Sequence, residues 1–425
     1  MQDPSRGTTD IAPSVADRVA RDVSALAEFK EPGLPGWTRR VFSDPYVASR
    51  TWIAELMSDA GLEANVDAAT NVIGTLPGHR SDLPPLVIGS HTDSVPGGGR
   101  FDGIIGVLGG IEAVRVLRES GLRLERTLRV VDFAGEEAND FGISCIGSRA
   151  LSGSLSARHL ELRDPMGRTL GDVLTAAGGD AHAALGLSWA SAPPAAFLEL
   201  HIEQGPVLEQ AGVPIGVVTG IVGIHRVTVS IEGQADHAGT TPMRLRRDAA
   251  CAAADVVLGV EHLPVGEAVA TVGRIEIQPG ASNVVPSGAD LLVEIRSEDA
   301  AWLLKQRGEL ESVVNEIAQR RAVHAALDWH QGEDPVLCAS YLQEVVARSA
   351  EQLGLGHRLM PSGAGHDAVM MASVTDVGMV FVPSKGGRSH TPEEWTDPGQ
   401  IAAGVNVLAR SIVELDGTLP RRVRA

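Results

Sequence analysis

The sequence predicts an α/β fold: a larger domain built on a mostly parallel central sheet, with a smaller α+β domain inserted into it. Three observations lead there. Short apolar runs, each stopped by glycine or a polar cluster, read as buried strands at Leu86–Gly89, Leu128–Phe133, Phe197–Leu200 and Met379–Val382. Between the first two, Ile104, Val107, Leu108, Ile111, Val114 and Leu117 recur at helical spacing, which makes a strand–helix–strand unit. In the middle of the chain the pattern changes: Val227, Val229 and Ile231 alternate with Thr228, Ser230 and Glu232, as in a strand with one wet face.

From there the chain predicts a helix from Asp248 through Val260, strands near Ala268–Ile277 and Ala289–Ile295, a helix near Ala300–Arg320 and a strand near Ala325–His330. This β-α-β-β-α-β order marks a unit of its own. The division is residues 1–212, 213–332 and 333–425, the first and last forming one domain. An amphipathic helix near Tyr341–Leu353 resumes the α/β pattern, and segment 154–195 reads as short helices and loops.

A chain of 425 residues with 44% hydrophobic and 21% charged residues has the material for two cores. Its formal charge of −18 disfavours nucleic acid as a partner, because phosphate backbones are repelled. Three cysteines without a CxxC exclude a disulfide scaffold and point to a reducing cytoplasm. Residues 1–5 are polar and acidic, unlike a secretory leader, and no run is apolar enough to span a membrane.

The chemistry is carried by where the metal-capable side chains fall. His91 and Asp93 follow the first buried strand, Asp102 precedes the Ile104 helix, and Glu136 and Glu137 follow the second strand. His201 ends the third, and His390 lies in the loop after the fourth. Carboxyl ends of parallel strands share one edge of a sheet, where ligands bind. Each residue alone reads as a surface or capping group; together they read as a metal centre. Three imidazoles and two carboxylates suit Zn²⁺, with Mn²⁺, Co²⁺ or Ni²⁺ as alternatives. Two ions about 3.5 Å apart need a bridging carboxylate. Asp102 is placed to bridge, with His91 and His201 on one ion and Glu137 and His390 on the other. Asp93 can orient His91, and Glu136 is the candidate general base toward a metal-held water.

The runs Gly89-Ser90-His91-Thr92-Asp93, Phe101-Asp102-Gly103, Gly135-Glu136-Glu137, His201-Ile202-Glu203-Gln204-Gly205 and Ser389-His390-Thr391-Pro392-Glu393-Glu394 occur in this order. The set resembles the hydantoinase/carbamoylase branch of the metal-dependent amidohydrolases related to M20 peptidases. That branch includes N-carbamoyl-L-amino acid hydrolases and allantoate amidohydrolases.

The resemblance implies a catalytic domain with an inserted lid and dimerisation domain, a homodimer, and hydrolysis of a carboxylate-bearing ureido substrate. It also implies roles for further residues. Gln204 would reach the substrate near the metals, and His237 in Asp236-His237-Ala238-Gly239 would polarise the scissile carbonyl, in some members from the partner subunit. Asn283 and Arg296 would hold the substrate carboxylate, and His366 in Gly365-His366-Asp367 would touch substrate or a ligand. Ala138-Asn139-Asp140 stands where many members carry Gly-Ser-Arg, which weakens the allantoate reading. The glycine-dense Gly97–Gly99 loop reads as a mobile wall.

The expected reaction cleaves the ureido C–N bond of an N-carbamoyl-L-amino acid. Allantoate or another ureide, a dipeptide, and a silent role on the same scaffold are the alternatives.

Overall fold

The strands are β1 (Glu63–Val66), β2 (Val72–Leu76), β3 (Leu86–His91), β4 (Leu128–Phe133), β5 (Ala196–Ile202), β6 (Ile215–Ile221), β7 (Gly223–Glu232), β8 (Val269–Gln278), β9 (Gly288–Ser297), β10 (His324–Trp329), β11 (Val336–Leu337), β12 (His357–Ser362) and β13 (Val377–Val382). They come from a computed structural model that describes residues 11–330 and 332–420. The reading of residues 1–5 lies outside the described residues. The described residues fall into two compact units: those within 1–219, 338–360 and 365–425 in the first, and those within 220–337 and 361–364 in the second.

In the first unit the sheet runs β1-β2-β4-β3-β5-β13-β6, with β12 beside β6. β4, β3, β5 and β13 are mutually parallel, and the flanking pairs are antiparallel. Every residue of β3, β5 and β13 is buried, as expected for strands covered on both faces. One cover is the helix Ile104–Glu119, which is apolar nearly all round, with 13 of its 16 residues buried. Helix Pro398–Thr418 packs on it. Its start is fixed by Pro398 in the first turn, where no intrahelical N–H is needed, and by an Asp397 capping box with Gln400. Segment 154–195 forms three short helices joined by loops. No helix among the described residues is long and apolar enough to cross a membrane.

The second unit is an antiparallel sheet in the order β10-β7-β9-β8. β9 alternates buried and half-buried along its whole length. Its apolar side, Ala289, Leu291, Val293 and Ile295, packs with Val256 and Val260 of helix Ala249–Glu261 and Leu310 and Val314 of helix Ala300–Arg321. Period-two patterning on the strands and helical patterning between them thus build one core of their own.

Candidate active site

The parallel strands deliver the site. β3 ends on His91, β5 places His201 one residue before its end, and the loops after β4 and β13 carry Glu136, Glu137 and His390. Ligand-capable atoms of His91, Asp102 and His201 all lie within 4.8 Å of one another, and so do those of Asp102, Glu137 and His390. Asp102 belongs to both groups. Its Oδ1 is 3.2 Å from His201 Nε2, and its Oδ2 is 3.0 Å from His390 Nε2. His390 Nε2 is also 3.2 Å from Glu137 Oε1.

Local backbone makes this approach feasible. Gly103 has φ +67°, and a Cβ there would lie 2.2 Å from His91 Nε2, so only glycine fits behind Asp102. His201 Nδ1 donates to the carbonyl of Ile202 at 2.8 Å, which leaves Nε2 facing Asp102. His91 Nδ1 lies 3.1 Å from the main-chain oxygen of Asp93 and 3.5 Å from its carboxylate. That carboxylate accepts the backbone N–H groups of Glu136 and Glu137, each at 3.2 Å. Asp93 therefore ties the first strand end to the second.

Glu136 is buried, with Oε2 3.6 Å from His91 Nε2. Burial pushes its carboxyl well above the usual range; Glu137 and Asp367 add to this, and His91 opposes it. Cys145, also buried, has its thiol 3.7 Å from Glu136 Oε1 and is kept protonated by burial. For Asp102, burial favours the neutral acid, but hydrogen bonds from His201 and His390 outweigh it and hold the carboxyl well below its ordinary value. Hydrogen bonds to Asp102 and Glu137 push His390 up to about 11. Protons on the imidazoles hold these acids together, and the donor set is one that divalent cations fit in their place.

Gln204 has φ +59°, donates from Nε2 to Asp102 Oδ2 at 2.8 Å, and keeps a buried Oε1 without a hydrogen bond. An orphaned buried acceptor beside the cluster suits a ligand or cation. His366 is buried with its ring edge-on to His201, centroids 4.5 Å apart. Residues 91, 93, 102, 136, 137, 201, 204, 366 and 390 are thus brought together in the first unit. His237, Asn283 and Arg296 lie in the second. There His237 and Asn283 are exposed neighbours: Ala238 N–H donates to the Asn283 carbonyl, and the backbone of His237 forms a β-bridge with Val284. Arg296 is half-buried, bound to Glu294 and to the carbonyl of Gly363.

Three features escaped sequence reasoning. Glu394 is buried; its Oε1 accepts Phe101 N–H at 2.8 Å and Asp102 N–H at 3.1 Å, and its Oε2 accepts Ser389 Oγ at 2.9 Å. The only signal was its place in the His390 run. Asp132 accepts Thr92 Oγ1 and pairs with Arg50 at 3.0 Å, entirely behind the site. The Gly97–Gly99 loop is tied to its neighbours. Trp37 N–H binds Gly98 O, Thr38 Oγ1 accepts Gly97 N–H, and a Cβ on Gly99 would strike Glu394 at 2.2 Å. Its glycines serve close packing. Within the Ala138–Asp140 departure, Asp140 pairs with Arg40 at 3.2 Å.

An α/β sheet with histidines and carboxylates gathered at its strand ends defines a hydrolase scaffold of the kind that binds divalent metal. Residues 87–414 match the peptidase family M20/M25/M40, and the chain belongs to that family, in its amidohydrolase branch. It is 40% identical over 409 residues to an N-carbamoyl-L-amino-acid amidohydrolase of Paenarthrobacter aurescens, covering 94% of this chain and 98% of that one. It is 36% identical to a ureidoglycolate hydrolase of Arabidopsis thaliana, covering 96% and 89%. A solved amidase of the hydantoinase/carbamoylase family from Burkholderia multivorans superimposes with TM-score 0.89 at 35% identity, covering 95% and 98%.

Proposed function

We propose that the protein hydrolyses the ureido C–N bond of N-carbamoyl-L-amino acids, giving the amino acid, ammonia and carbon dioxide. The observation that carries this reading is the pair of clusters meeting at Asp102, with Glu136 beside them. His91, Asp102 and His201 would hold one divalent ion, and Asp102, Glu137 and His390 a second, with Zn²⁺ the favoured metal. Such ions supply Lewis acidity, polarising a carbonyl and acidifying water.

The chain's own residues do the rest. Glu136, a buried carboxylate whose proton affinity is raised, takes a proton from the attacking water and returns it to the departing nitrogen. Asp93 holds the backbone of Glu136 and Glu137, keeping base and ligand in register. Gln204 offers its unpaired Oε1 to the substrate's ureido N–H groups. His366 contacts the substrate or keeps the His201 ring in place. His237 donates to the scissile carbonyl, and Asn283 and Arg296 bind the carboxylate, a pairing suited to a guanidinium and an amide. Action of His237 across a homodimer accompanies this reading, and full activity of a strictly monomeric species in sedimentation would remove it.

A panel of N-carbamoyl-L-amino acids, allantoate, ureidoglycolate and dipeptides on metal-reconstituted protein tests the substrate. Highest kcat/KM on the carbamoyl compounds is expected; preference for another member replaces the reading. Glu136→Gln should lower kcat by about 10²- to 10⁴-fold with metal content unchanged.

A further inference from the structure

The second unit contains an arrangement around Arg296 that the reaction scheme leaves unused. β7 and β9 pair so that Arg226 stands opposite Glu294, and Arg296 follows two residues along β9 on the same face. That face is half-buried, the opposite one carrying the core. Glu294 spans the two arginines. Its Oε1 accepts from Arg296 Nε at 2.7 Å, and its Oε2 accepts from Arg226 Nε at 2.7 Å. Arg296 Nη1 donates to the carbonyl of Gly363 at 2.6 Å. Among the described residues, its Nη2 makes no hydrogen bond.

An arginine side chain has several soft torsions, and anchoring two of its nitrogens leaves one orientation for the third. Arg226 has a further acid, Glu333, at 3.6 Å, so both of its partners are carboxylates of its own unit, which suits a bracing role.

We propose that Glu294 is a positioning residue that fixes the guanidinium of Arg296 for a substrate's carboxylate, with Arg226 bracing Glu294 across the strand pair. This rests on the reading of Arg296 as a carboxylate anchor.

The test compares Glu294→Ala, Glu294→Gln, Arg296→Ala and the double variant Glu294→Ala/Arg296→Ala, on an N-carbamoyl-L-amino acid and on its carboxamide analogue, which lacks the anion. For the acid, Glu294→Ala should raise KM about ten-fold, with the loss in kcat/KM carried by KM. Glu294→Gln should fall between, because its amide oxygen still accepts from Arg296 Nε. KM for the carboxamide should stay put, and Glu294→Ala should add nothing in the Arg296→Ala background. Equal losses on acid and carboxamide, or undiminished loss in that background, would mean that Glu294 only supports the fold and would overturn the proposal while leaving Arg296 as the anchor. An unchanged KM in Arg296→Ala would overturn the anchor reading and this inference with it.

Discussion

Asp102 Oδ2 lies 3.0 Å from His390 Nε2, although the two residues come from opposite parts of the chain and from different loops. Because Oδ1 of the same carboxylate faces His201, removing Asp102 takes a donor from both clusters at once. Asp102→Ala should therefore abolish measurable turnover and lower bound metal more than His390→Ala does. Metal analysis after dialysis checks this, and equal retention by the two variants would count against a shared carboxylate.

Glu394 touches no ligand atom of an imidazole, yet it holds the backbone of Asp102 and the hydroxyl of Ser389, the residue before His390. Groups that orient metal ligands typically contribute about 10- to 100-fold in metal affinity. Glu394→Ala should weaken binding by that much in a chelator competition, while Glu393→Ala, on the exposed neighbour, should leave it unchanged.

Arg50 is buried against Asp132, and Asp132 in turn accepts Thr92 between His91 and Asp93. Arg50→Met leaves a buried carboxylate uncompensated, which costs about 3–5 kcal/mol. Urea unfolding should show that loss, and adding Asp132→Leu should recover most of it, since an apolar pair needs no counter-ion.

The Arg226–Glu294–Arg296 set has a pH signature in stability. Burial raises the Glu294 carboxyl, but Arg296 and then Arg226 outweigh it and leave the group below its ordinary value. A folded-state pKa below the unfolded one stabilises fully above the unfolded value and is lost as pH falls through the folded value. The stability gap between the native chain and Glu294→Gln should thus be present at pH 7 and shrink below about pH 4. A gap that widened on acidification would contradict the ion pairs.

Much of this molecule was legible before folding because periodicity is a local property. Buried strands such as Leu86–His91 and Val377–Val382 announce themselves as apolar runs, and parallel strands bring their carboxyl ends to one edge. From that rule alone the convergence of His91, Asp102, Glu137, His201 and His390 could be read. Contacts between loops obey no period. That Glu394 would reach back to Asp102, that the Asp93 carboxylate would take up the N–H groups of Glu136 and Glu137, and that Gly99 would be pressed against Glu394 all depend on where distant segments come to rest. Hydrogen bonds of about 3 Å are decided by three-dimensional packing, and only the folded chain supplies it.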